Sequence, residues 1–331
     1  MTPALPAVKP DRLLHELAEL WTTMGKPSTE ADADAVESRG ILRACSLTLI
    51  VITDERDDAM ALAETLAHLM REHPCRAIVV RVSDAAETLS ARVFAQCWKP
   101  FGQSIQICCE QVELTVSLGR IADIPSIVSP LAAPDLPRVV WFRSASVGQA
   151  ADAGALLDLG DKLIFDSALK GAPAFADLRS LAASNLIVGD LAWTRITKLR
   201  ELIAQLLDGH DLRQHSEVVI GYSGGDAGPE ARYLQAWLRN VLQHASVDLR
   251  RLDAEGCGQM KSLRIEPDLD IRLQSNCAEY KSGILSQRAN FADGSDFTLL
   301  SEELKIMQHD PVYERALYRM TPWTHAPGMQ F

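Results

Sequence analysis

The sequence predicts an α/β fold: an N-terminal three-layer domain around a mainly parallel sheet, followed by a smaller C-terminal α+β domain. Three observations predict it. Almost continuously apolar runs, at residues 46–53 and 76–82, are how strands buried on both faces read. A helical pattern at 59–72 lies between them, which makes a βαβ unit with a right-handed crossover. Beyond residue 211 the strand patterns are shorter, are separated by turn residues, and read as an antiparallel sheet.

The elements follow in order. Residues 11–24 read as an amphipathic helix after Pro10, with Leu13, Leu14, Leu17, Leu20 and Trp21 on one stripe. Residues 25–34 read as a linker, so this helix must dock either on its own chain or on a partner. The α/β domain holds the βαβ unit, with Asp54 and Asp57 or Asp58 available to cap its helix. Residues 106–116 alternate like a strand with one exposed face and suggest an antiparallel insertion. A helix at 124–131, a strand at 138–143, a helix at 151–159, a strand at 162–166 and a helix at 174–184 come next. A helix at 198–207 follows, with Thr197 as N-cap and Gly209 as C′ residue. In the second domain a strand at 217–222 leads through a glycine loop to a helix that starts at Pro229 and runs to about residue 244. Strands near 247–252, 262–266, 270–273 and 278–282, then helices at 299–307 and 311–319, complete it. The expected domains are 1–36 (helix and linker), 37–210, 211–322 and a tail at 323–331.

Composition narrows the function. The 331 residues suffice for two ordinary domains. A content of 47% hydrophobic and 23% charged residues is normal for a globular protein. The net charge of −11 argues against nonspecific binding to nucleic acid or anionic membranes. The longest apolar runs, such as residues 49–52, are too short to span a bilayer. The first ten residues lack the apolar stretch of a signal peptide, so a cytoplasmic location is expected. The seven cysteines show no Cys-x-x-Cys and no zinc-finger spacing with histidine. They read as reduced, mostly buried thiols, with the adjacent Cys108 and Cys109 on opposite faces of a strand.

The most informative stretch is 189–211, where Asp190, Trp193 and Arg195 crowd into six residues ahead of a helix. Large aromatic and guanidinium groups side by side suit a protein-recognition surface. The competing reading is a structural corner, with Trp193 in the core and Arg195 paired to Asp190. Arg200 and Glu201 read as helix-surface residues. Ser223, Gly224 and Gly225 open a strand-to-helix loop, 223–228, whose backbone N–H groups could hold an anion. The loop lacks the basic residue of a phosphate-binding loop, and a plain turn explains it as well. Asp54, Glu55, Asp57 and Asp58 sit where an open α/β sheet receives ligands. They suit helix capping, with Mg²⁺ binding as the alternative. No Gly-x-Gly-x-x-Gly occurs there, so no dinucleotide is expected. His73 and Cys75 lack further ligands nearby in sequence, and no metal site is expected. No catalytic constellation and no cofactor are expected.

Residues 47–54, His73-Pro74-Cys75-Arg76, Cys109-Glu110-Gln111-Val112, residues 134–143 and residues 190–197, in that order, resemble segments of the glucose-6-phosphate dehydrogenase assembly proteins, the OpcA family. Residues 47–54 with His73-Pro74-Cys75-Arg76 resemble its first βαβ unit, where the family has His-Pro-Ser-Arg. Cys109-Glu110-Gln111-Val112 resembles its Glu-Gln strand, and Pro134-Asp135-Leu136-Pro137 through Trp141-Phe142-Arg143 its Pro-Asp-Leu-Pro…Trp-Trp segment. Asp190-Leu191-Ala192-Trp193-Thr194-Arg195-Ile196-Thr197 is similar to its most distinctive signature, and the resemblance extends to 310–317. Two departures stand out: Lys198-Leu199 replaces the family's Pro-Trp, and Phe142 replaces its second Trp. The resemblance implies a non-catalytic partner that assembles or activates glucose-6-phosphate dehydrogenase at the entry of the oxidative pentose-phosphate pathway. Asp190, Trp193, Arg195, Arg76, Trp141 and Arg143 are then the expected contacts. A sensor or enzyme that binds a sugar phosphate or nucleotide at loop 223–228 is the alternative.

Overall fold

The computed structural model describes residues 8–24, 41–85, 89–102, 105–144, 147, 153–169, 175–208, 217–253, 255–267, 269–274, 277–282, 285–291 and 294–320. The chain divides into two compact units, one ending at Phe165 and one beginning at Asp166. The expected boundary near 210 falls inside the second unit. The reason is packing: the helices at 175–183 and 191–195 lie against helices of the C-terminal half. The expected linker at 25–34, Gly209 and the tail at 323–331 lie outside the described residues.

In the first unit, α1 (Pro10–Met24) precedes β1 (Ile41–Arg43) and β2 (Leu47–Asp54). α2 (Ala59–Glu72) joins β2 to β3 (Cys75–Ser83). β4 (Leu89–Trp98), β5 (Gln106–Ser117), α3 (Ile124–Val128), β6 (Arg138–Phe142) and β7 (Lys162–Phe165) follow. The strands lie in the order β4-β5-β3-β2-β6-β7, and β1 pairs with the first residues of β5. All of these pairings are parallel except β4 with β5, so the antiparallel insertion is β4. β4 escapes the sequence pattern because exposed Ser90 and Arg92 and half-buried Gln96 alternate with only partly buried apolar residues. β5, expected to have an exposed face, lies between neighbours on both edges and buries Cys108 to Val112. Ile50, Val51 and Ile52 of β2 are fully buried, as a strand covered on both faces requires.

The first helix docks on its own unit. Leu13 and Leu17 are buried, and the Trp21 indole N–H donates to Glu110 at 2.5 Å. Asp58 caps α2 by accepting from the Met60 and Ala61 amides, which orients the carboxylates after β2. Cys97 and Cys108 are not the free thiols expected. They face each other across the β4–β5 ladder, with Cα atoms 4.1 Å apart, and form a disulfide. Register decides this: opposite residues on antiparallel strands come within bonding distance, which adjacent residues such as Cys108 and Cys109 do not.

The second unit holds α4 (Phe175–Ala183), β8 (Ile187–Asp190), α5 (Leu191–Arg195) and α6 (Thr197–Leu207). They lead to β9 (Glu217–Gly224), α7 (Pro229–Val241) and β10 (Ser246–Asp253). β11 (Cys257–Ile265), β12 (Leu269–Gln274), β13 (Cys277–Ser282) and β14 (Leu285–Asn290) extend the sheet, and α8 (Asp296–Glu303) and α9 (Pro311–Arg319) close the unit. The sheet order is β10-β9-β11-β12-β13-β14. It is antiparallel except for β10, which pairs parallel to β9 because α7 crosses over between them. Thr197 is not a cap but lies inside α6. Ile196 precedes α6 and offers no capping side chain, whereas Asp190 caps α5 by accepting from the Ala192 amide.

Candidate functional site

The segment Gly189 to Arg195 forms the junction of the second unit. Each polar or aromatic residue in it holds a different element. Asp190 is fully buried at the end of β8. Its carboxylate accepts from the Ala192 amide at 3.0 Å, the Ser167 amide at 3.0 Å and the Tyr233 hydroxyl of α7 at 2.7 Å. Burial, helped by the Asp166 carboxylate, pushes the Asp190 carboxyl up to about 6 against the pull of these donors. Trp193 is 4% exposed and sits in an aromatic cluster, its ring 5.7 Å from Tyr233 and 5.8 Å from Tyr313. Its indole N–H donates to Asp310, which also caps α9. Thr194 donates to Glu303 of α8 at 2.7 Å. A Cβ on Gly189 would stand 2.2 Å from that same carboxylate, so only glycine lets Glu303 approach β8.

Arg195 pairs with Asp166 through both terminal nitrogens, at 2.8 and 2.5 Å, and approaches Glu230 of α7 at 3.5 Å. The expected partner Asp190 does not bond it. The hydrogen bond and charge of Asp166 outweigh the cost of burial and raise the guanidinium's affinity for its proton, while burial raises the Glu230 carboxyl. Arg200 is not a free helix-surface residue. Its guanidinium lies 3.5 Å above the Trp193 ring, and burial lowers it to about 10.

The other expected contacts are also buried. Arg76 is 6% exposed, pairs with Glu110 at 2.6 Å and donates to the Leu131 carbonyl at 2.6 Å. Trp141 is fully buried in β6, with the Arg143 guanidinium 5.1 Å from its ring. Among the six, Arg195 and Arg143 keep some side-chain exposure, 25% and 14%. Asp190, Trp193, Arg76 and Trp141 are therefore enclosed by neighbours in the same chain. Local pattern could not show this, since polar side chains look alike whether they face solvent or a buried partner.

The carboxyl end of β2 is a crossing point, with β3 on one side and β6 on the other. Open α/β sheets bind nucleotides there. Here Asp57 accepts from Thr53 at 2.5 Å and from Arg143 at 2.5 Å, and Asp54 accepts from Ser144. The carboxylates at this edge are thus paired with a cation and hydroxyls of the chain itself. Among the described residues no group of three or more His, Cys, Asp and Glu could hold a metal ion.

Loop 223–228 is built for packing against its neighbour and does not form an open anion cradle. Gly224 pairs with Cys257 in the β9–β11 ladder, and the Gly228 amide donates to the Gly258 carbonyl at 2.9 Å. A Cβ on Gly224, at φ +96°, would meet Gly256 at 2.4 Å. Ser223 donates to the Gln259 carbonyl and is buried. The residue before the helix is glycine with no capping side chain, and Pro229 lacks an N–H. Beside this loop an open pocket of about 370 Å³ is lined by Arg195, Glu230, Met260, Leu273 and Phe291 among others. Its polar wall includes Asp166's partner Arg195, so two residues the sequence reading passed over, Asp166 and Glu230, set its charge. The signal for Asp166 was its place at the end of a buried strand, and for Glu230 its place in the first turn of a helix.

Known proteins carry the same pattern. Residues 66–183 match the family described as glucose-6-phosphate dehydrogenase subunit N-terminal domain, and residues 187–317 the corresponding C-terminal domain. A protein of Synechocystis sp., provisionally named OxPP cycle protein OpcA, is 25% identical over 198 residues, 57% of this chain and 41% of that protein. The namesake protein of Synechococcus elongatus is 27% identical over 213 residues, 61% of this chain and 47% of that one. The chain thus spans less than half the length of these relatives. Among solved structures, an NAD-binding oxidoreductase from Klebsiella pneumoniae aligns over 83% of this chain and 94% of its own, at 9% identity and a TM-score of 0.48. Biliverdin reductase from Synechocystis sp. aligns over 82% of this chain and 96% of its own, at 11% identity and a TM-score of 0.41. No helix among the described residues is long and apolar enough to cross a membrane.

Proposed function

The chain belongs to the OpcA family of glucose-6-phosphate dehydrogenase assembly proteins, and on that premise we propose that it binds this dehydrogenase and promotes its assembly or activation, without a reaction of its own. The observation that carries the reading is the match of both family domains, in order, along the chain. The residues that the sequence singled out are engaged within the chain: Asp190 with Tyr233, Arg195 with Asp166, and Arg143 with Asp57.

The contact surface must then be sought among exposed apolar side chains. The β4–β5 turn carries Phe101, fully exposed, and Ile105, also exposed. β1 begins beside that turn, with Ile41 opposite Gln106, and both Ile41 and Leu42 are exposed. The disulfide Cys97–Cys108 staples the hairpin just below its tip. A stapled turn with an aromatic tip suits a preorganised protein contact. The test is co-purification with the dehydrogenase of the same organism, together with its activity and oligomeric state. Association, or a change in either, is expected. If the two neither associate nor affect one another, the reading fails.

A further inference from the structure

The pocket beside loop 223–228 has a chemistry that none of the above uses. It measures about 370 Å³, the size range of small-molecule sites. Ile196, Leu199, Met260, Leu273 and Phe291 supply apolar lining. Arg195, Glu230, Gln259 and Gln274 supply polar groups. Such a mixture of apolar wall and few polar groups orients a ligand rather than merely enclosing it.

The charge balance decides which ligand. Arg195 is the one basic residue among the described lining residues. It is already held by Asp166 through two nitrogens and faces Glu230. Two carboxylates against one guanidinium leave an excess negative charge, and the guanidinium has little left to offer an incoming anion. The helix start in the wall is equally unsuited to an anion. Pro229 has no N–H, the Gly228 amide is bonded to Gly258, and Glu230 places its carboxylate in the first turn. The polar groups that remain are the Glu230 carboxylate, the Gln259 amide nitrogen, whose oxygen already accepts from Lys261, and the Gln274 oxygen, whose nitrogen already donates to Glu279.

We infer that this pocket binds a small compound with an apolar face that is uncharged or cationic and donates hydrogen bonds to Glu230, and that it discriminates against phosphorylated forms of the same compound. The site departs from the anion-binding reading of the loop, and it does not rest on the proposed partnership with the dehydrogenase.

A native reporter makes this testable. Cys257 lies in the pocket wall and is exposed, whereas Cys75, Cys109 and Cys277 are buried and Cys45 is half-buried. The rate of iodoacetamide alkylation at Cys257 is read by peptide mass spectrometry in the intact chain, with Cys45 as internal control. The probes are adenosine (uncharged ring), tyramine (cationic ring) and AMP (the same ring as adenosine with a phosphate). Adenosine or tyramine is expected to slow alkylation of Cys257 and not of Cys45. AMP is expected to need at least about tenfold more for the same protection, a difference of about 1.4 kcal/mol. In Glu230→Gln, which keeps the side-chain shape, tyramine protection is expected to weaken about tenfold while circular dichroism is unchanged. The inference is overturned if neither adenosine nor tyramine protects at roughly 10 mM, ten times a millimolar dissociation constant. It is also overturned if AMP protects as well as adenosine, or if Cys45 is slowed equally.

Discussion

Trp193 shows how a residue can look like a binding anchor and serve as a keystone. Its ring contacts Tyr233 and Tyr313, its N–H reaches Asp310, and Arg200 covers its face. Trp193→Ala is therefore expected to cost about 3–5 kcal/mol in urea unfolding, the range for deleting a buried large aromatic. Unchanged stability would return Trp193 to the list of surface contacts. Asp190 makes a prediction about pH. Its carboxyl is raised from 3.8 to about 6 in the fold, so the folded chain holds that proton more tightly than the unfolded chain. The stability it contributes is complete below about pH 4 and is lost as pH rises through about 6. Relative to Asp190→Asn, the wild type should lose up to roughly 3 kcal/mol between those limits. Parallel stability curves for the two proteins across pH 4–6 would refute it. Asparagine can still accept from the Ala192 and Ser167 amides, so the variant is expected to fold.

Elements were legible where their pattern is long and one-sided. β2, α2 and β3 have it: buried runs on either side of a helix that carries Leu62, Leu66 and Leu69 inward. α5 has five residues, fewer than the two turns a helical period needs to show, and was read as part of the approach to α6. β14, one strand beyond the expected sheet, carries Ser286, Gln287 and Arg288 and has no apolar stripe to mark it. Two devices fix elements in place and can be tested. Asp310 accepts from the Val312 and Tyr313 amides at the start of α9 and from Trp193. Asp310→Ala should cost about 1–2 kcal/mol by thermal or urea unfolding. The Cys97–Cys108 bridge closes a short loop, with a separation of 11 residues, so reducing it should destabilise its unit by about 2–3 kcal/mol. An unfolding midpoint that ignores reductant would argue that the bridge does not form.

For the whole molecule, stability and partnership should be separable. Phe101 is fully exposed, whereas Trp193 is interior. Phe101→Asp is expected to leave the melting temperature within about a degree, since surface changes are generally within ±0.5 kcal/mol, while weakening co-purification with the dehydrogenase. Retained co-purification would move the contact elsewhere on the surface without disturbing the family assignment. The α/β class, the order of most strands and helices, and the family to which the chain belongs all follow from the amino-acid order, because hydrophobic periodicity and short motifs are local properties. Partner choice is not local. Arg195 meets Asp166 and Glu230 from 29 and 35 positions away, Asp190 meets Tyr233 from 43, and Cys97 meets Cys108 only through strand register. Whether Asp190, Trp193 and Arg195 face another protein or each other's neighbours depends on which surfaces are removed from water. That is a property of the packed chain, and no segment of sequence carries it by itself.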